Sequence, residues 1–94
     1  MTTFFLFGKY GADAVKSISD QRTEQSKELI KQLGGNVKDI YALLGEHDIV
    51  FITEFQTMTD AMKASIALGR LTGISFSTAY AIPVDELDKL ATEM

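Results

Sequence analysis

The run Ile49-Val50-Phe51-Ile52 is apolar at four consecutive positions, and it restricts the possible folds more than any other stretch of the chain. β-Branched and aromatic side chains favour extended backbone, and a short apolar run between polar flanks reads as a buried strand. Side chains alternate across a strand, so Ile49, Phe51 and Phe55 fall on one face and Val50 and Ile52 on the other. Both faces therefore need cover. Phe4-Phe5-Leu6-Phe7 has the same character and predicts a second such strand over Thr3–Tyr10, pairing beside the first. A chain of 94 residues makes one domain, 1–94, and after its strands it has sequence left for two helices and a short tail.

Between and after these strands the patterns alternate in kind. Past Gly11, Ala12, Val15 and Ile18 recur at helical spacing, but Ser19 to Glu28 contains no apolar residue. A helix crossing a core cannot bury so long a polar stretch, which predicts a break near Ser19-Asp20 with one of these residues capping a second helical piece. That piece carries Leu29, Ile30 and Leu33 and stops at Gly34-Gly35. Val37–Leu44 alternates loosely, with Val37, Tyr41 and Leu43 on one face and Ile40, Ala42 and Leu44 on the other. Gly45-Glu46-His47-Asp48 then makes the turn of an antiparallel hairpin with Ile49–Phe55. Thr57 precedes Asp60 by three residues, a variant capping box, ahead of a helix carrying Ala61, Met62, Ser65, Ile66 and Gly69 and ending near Gly73. Ile74–Ile82 alternates between an apolar face and a face of small residues, as an edge strand does. Pro83 ends it, and Val84–Leu90 is an amphipathic tail of one or two turns.

Strand, helix, strand, strand, helix, strand is the split βαβ order. The fold class expected is α+β, a ferredoxin-like βαββαβ sandwich with a four-stranded antiparallel sheet and two helices on one face. Short right-handed connections put the first and third strands in the middle, and these are the two with apolar residues on both faces.

The aromatic strand leading into Gly8-Lys9-Tyr10, the Val15…Ile18…Arg22 spacing, Leu33-Gly34-Gly35, Tyr41 and Gly45-Glu46-His47-Asp48-Ile49-Val50 together resemble the GYD domain family of small bacterial and archaeal proteins. The likeness covers nearly the whole chain. In the family's namesake pattern a glycine, a variable residue and Tyr-Asp precede the apolar strand; here Gly45 and Asp48 match, and His47 stands where tyrosine is typical. The family resembles the dimeric α/β-barrel group, whose members associate through their sheets. The resemblance implies a homodimer, with larger assemblies left open, and it implies no particular biochemical activity.

Charge and composition exclude several classes of function. The net charge of −4 and pI near 4.8 repel a phosphate backbone, and no Lys/Arg run offsets this, so no nucleic-acid partner is expected. The apolar N-terminus lacks a basic start and is interrupted by Gly8-Lys9, so neither a signal peptide nor a membrane partner is expected. Without cysteine there is no disulfide framework, thiolate zinc site or cysteine nucleophile, which fits a cytoplasmic setting.

Within these limits His47, flanked by Glu46 and Asp48, is a candidate base, because a carboxylate can orient imidazole and hold its charge change near neutral pH. The plainer reading is a solvated turn residue. Arg22, in the polar stretch where the first helix breaks, is a candidate carboxylate or phosphate clamp, or else pairs with Asp20, Glu24 or Glu46 on the surface. Tyr10 and Tyr41 could line a pocket on the open sheet face. Met58 and Met62 read as core filling. The candidate ligand-binding set is thus Tyr10, Arg22, Tyr41, His47 and Asp48. No metal site is expected from one histidine, and no cofactor. The function expected is a homodimeric module for small-molecule binding or assembly; the alternative is a cofactor-free enzyme of the dimeric-barrel kind using His47 and Arg22. An enzyme of that kind needs His47, Arg22 and a tyrosine to converge on one concavity.

Overall fold

In a computed structural model describing all 94 residues, β1 (Thr2–Tyr10), β2 (Asn36–Ala42), β3 (Ile49–Phe55) and β4 (Ile74–Ala81) form one sheet in the order β2-β3-β1-β4. All neighbouring strands are antiparallel. The two strands that are apolar on both faces hold the centre, as their composition requires. The first helical segment is split into α1 (Ala12–Lys16) and α2 (Asp20–Gln32), α3 (Met58–Thr72) joins β3 to β4, and α4 (Val84–Glu93) follows the last strand. This is the ferredoxin-like α+β arrangement. No helix is long and apolar enough to cross a membrane.

The core lies between one sheet face and the helices α2 and α3. Phe4 and Leu6 of β1 and Phe51 and Phe55 of β3 meet Ile30 of α2 and Ala61, Ala64 and Leu68 of α3, all buried. The register sets Leu6 opposite Phe51 and Phe4 opposite Thr53, so these side chains share the helix-covered face. Phe4 and Phe55 pack edge to face with centroids 6.3 Å apart, and Phe51 and Phe76 do so at 5.6 Å. Thr53 is fully buried among them and donates its hydroxyl to the Phe4 carbonyl at 2.8 Å, which satisfies the one polar group facing this layer from β3.

Local signals explain the ends of the elements. Ser19 is the N-cap of α2, its hydroxyl accepting from the Arg22 N–H at 3.0 Å. The break falls where the polar stretch begins. Thr57 caps α3 by accepting from the Asp60 N–H at 3.1 Å, and Gly73, at φ 74°, closes its C-terminus in a conformation that only glycine adopts cheaply. Thr72 then donates to the Leu68 carbonyl at 2.7 Å and accepts from the Ile74 N–H at 3.1 Å, which carries the chain from α3 into β4.

Four features differ from the sequence expectation. A bulge in β2 sets Val37 opposite Thr53 and Asp39 opposite Ile52, so Lys38 is the extra residue and Val37 joins Ile40 on the helix side instead of joining Tyr41. In α1 it is Ala14 that is buried, while Val15 and Ile18 are exposed, because the helix ends after five residues, before a Val15–Ile18 stripe can pack. In α3 the buried stripe is Ala61, Ala64, Leu68 and Thr72; Met58 and Met62 are more than half exposed and do not fill the core. Small residues on the buried stripe let the helix lie close to the sheet, which turns the methionines to its flank. Finally, α4 runs ten residues, longer than the expected one or two turns, because the amphipathic repeat continues through Ala91.

Gly35, buried just after α2, has no room for a side chain: a Cβ there would overlap the ring of the fully buried Phe55. Overpacking of this kind costs about 1–3 kcal/mol. Gly35→Ala is therefore expected to lower the urea midpoint without changing the m-value, and an unchanged midpoint would mean that the Phe55 ring can yield.

Candidate functional site

The turn between β2 and β3 is anchored to the end of β1 chiefly by Asp48. Its N–H donates to the Gly8 carbonyl, and its own carbonyl accepts from the Leu43 N–H, both at 2.8 Å. Its carboxylate Oδ2 accepts from the Tyr10 N–H, also at 2.8 Å. Backbone pairing of β1 with β3 ends at Gly8 and Ile49, so the Asp48 carboxylate stands in for the carbonyl that a longer β3 would offer to Tyr10. Lys9 Nζ adds a bond to the Glu46 carbonyl at 3.1 Å. Gly45, at φ 138°, occupies a backbone region closed to other residues. The spacing of Gly45 and Asp48 is thus explained by the construction of this turn.

His47 packs its ring against Phe7, with centroids 5.0 Å apart, and is half-buried where the sequence suggested a solvated position. Phe7 alternates with Leu6, so this contact lies on the sheet face away from the helices. Arg22 is elsewhere. Its guanidinium donates through Nη1 to the Ala14 carbonyl at 2.6 Å and lies over the Tyr10 ring, 5.4 Å from the centroid. It ties α1 to α2 and closes the helix-side end of β1, a cation–π contact combined with a helix-end bond. Tyr10 shares the helix-covered face with Phe4 and Leu6, so it does not line the open face as expected; Tyr41, opposite Val50, does.

Of the five candidate residues, Tyr10 and Arg22 therefore meet on one side of the sheet and His47 and Tyr41 lie on the other. Asp48 sits at the edge between them. His47, Arg22 and a tyrosine do not converge on one concavity, and no group of three metal-ligating side chains comes together.

Two other surfaces stand out. The first is the open sheet face, where Phe5 lies opposite Ile52 and Phe7 opposite Val50. The second, which sequence reasoning missed, is a cleft of about 310 Å³ between α3 and β4, lined by Phe4, Met58, Met62, Ile66, Phe76 and Tyr80 with the hydroxyl residues Ser65 and Thr78. Its signal in the sequence is the i, i+4, i+8 spacing of Met58, Met62 and Ile66, which runs beside the Ala61-Ala64-Leu68 core stripe.

The βαββαβ order, the central placement of β1 and β3 and the β2–β3 turn define a ferredoxin-like domain. The model of the GYD domain matches residues 4–91, and the chain belongs to that family. Comparison with curated proteins and with solved structures gave no match.

Asp48→Ala leaves the part-buried Tyr10 N–H without its acceptor, a loss of about 1–3 kcal/mol in denaturant unfolding. Asp48→Asn keeps an oxygen there and is expected to recover most of it; equal losses in the two variants would show that the carboxylate does not act as a carbonyl substitute. His47→Tyr keeps a ring over Phe7 and is expected to change stability by no more than about 0.5 kcal/mol.

Proposed function

We propose that the protein works as a homodimeric module for binding or assembly, in which the open sheet faces of two copies pack against each other. The observation that carries this reading is the apolar block on β1 and β3 that no helix covers. Phe5, Phe7 and Ile52 are only half-buried in the single chain, and Val50 is shielded by its neighbours on the sheet. The Phe5 and Phe7 rings lie side by side with centroids 6.1 Å apart, and Tyr41 extends the block along β2. On the β4 side the same face carries Ser75, Ser77, Ala79 and Ala81, low relief beside high, which suits a second copy whose aromatic rows fill the trough. Stacked sheets lie about 10 Å apart, a gap that large side chains from both faces fill. A twofold axis lets the same patch meet itself.

The enzyme reading has weaker support. Arg22 and His47 are separated by the sheet, and each is engaged with an aromatic ring of its own face. A dimer could form a shared ligand site at the rim of the stacked sheets, where His47 and Tyr41 lie, without using Arg22.

Light scattering on the unmodified chain at micromolar concentration is expected to give twice the 10.4 kDa chain mass. Ile52→Lys, at the centre of the proposed interface but half-exposed in the single chain, is expected to give a folded monomer by light scattering and circular dichroism; Lys31→Glu, on the outer surface of α2, is expected to leave the dimer intact. A well-folded monomer of the unmodified protein would overturn the proposal.

A further inference from the structure

Two unpartnered apolar surfaces remain that do not belong to the open sheet face. One is the α3–β4 cleft; the other is α4, of which no residue is buried. Along α4, Val84, Leu87 and Leu90 recur at i, i+3 and i+6 on one side and stand 71, 55 and 53 % exposed. A helix of this kind is rarely stable in water on its own at ten residues, because nucleation is costly and packing normally supplies the stability. It needs a surface to lie on.

We propose that α4 of one copy seats its Val84-Leu87-Leu90 stripe in the α3–β4 cleft of a second copy. Dimensions agree: ten residues of helix span about 15 Å, and the Met58-Met62-Ile66 wall of the cleft spans about 12 Å at 1.5 Å per residue. Methionine walls suit a helix partner, since their flexible side chains adapt to the ridge laid against them. Charge agrees as well. Asp88 flanks the α4 stripe on one side and Glu86 and Glu93 on the other, while Lys63 and Arg70 are exposed on the solvent side of the Met62-Ile66 wall. The acidic flanks equally disfavour an anionic membrane surface as the occupant.

The partner is a second copy because of how α4 leaves its own strand. Only Ile82 and Pro83 separate β4 from α4, and Pro83 is extended at φ −60° and ψ 146°. The helix contributes no side chain to the cleft that its own Tyr80 borders, and the molecule is 48 Å long against 18 Å thick. A terminal element that leaves its own cleft open in the single chain is available for exchange between copies.

The chain has no cysteine, so single-cysteine variants report contacts cleanly. Met62→Cys and Leu87→Cys replace side chains that are each more than half exposed, so both variants are expected to fold. When the two are mixed and treated with a short bismaleimide, peptide mass analysis is expected to find 62–87 links between chains. Adding Ile66→Glu to the Met62→Cys chain puts a charge in the cleft wall and is expected to abolish them. Links no more frequent than those between Leu87→Cys and a Glu46→Cys control, on the β2–β3 turn, would overturn the proposal. So would a 62–87 link formed within one chain in the Met62→Cys/Leu87→Cys double variant, since the helix would then occupy its own cleft.

Discussion

The fold depends on one constraint: β1 and β3 are apolar on both sides, and the chain can cover only one of them. Pairing the two strands in the centre concentrates Phe4, Leu6, Phe51 and Phe55 under α2 and α3, which builds the core. The same alternation sends Phe5, Phe7, Val50 and Ile52 to the opposite face. Neither result can be had without the other. A strand that alternated apolar with polar would have given a complete monomer with a wetted outer face; this one leaves a hydrophobic surface that association would bury.

The hairpin turn shows how the same sheet closes at its end. β3 begins one residue after Asp48, and the carboxylate supplies the acceptor that the ladder lacks beyond Gly8. The turn thereby holds His47 over Phe7, at the rim of the open face. In this arrangement the construction of the turn, glycine for backbone and aspartate for hydrogen bonding, determines where a side chain with functional capacity sits. The ring at position 47 belongs to the open face and not to the helix layer, where Arg22 is bound to Tyr10 and Ala14.

Much of this was legible in the sequence, and the exceptions have physical causes. Strand order, the helix break at Ser19, the Thr57 cap and the edge character of β4 follow from patterns confined to a few neighbouring residues. Val37 departs from the simple alternation because a single inserted residue, Lys38, reverses it in β2, and nothing local marks a bulge. On α3 two apolar stripes adjoin, and only contact with the sheet decides that the one without the methionines faces in. Tyr10 lies on the helix face because it is an even number of residues from Phe4 and Leu6 on β1, whereas Tyr41 reaches the open face because it pairs with Val50. The α3–β4 cleft and the free α4 are tertiary features with no signature beyond their amphipathic spacing.

The central claim is that the open face of β1 and β3 is buried against the same face of another copy. Isotope-filtered NMR on a mixture of labelled and unlabelled chains reads this directly, because it detects only proton contacts between different molecules. The account predicts intermolecular contacts from the Ile52 methyl groups to the ring protons of Phe5 or Phe7. Intermolecular contacts absent from Ile52 in a folded sample, with those residues in contact with water, would contradict it.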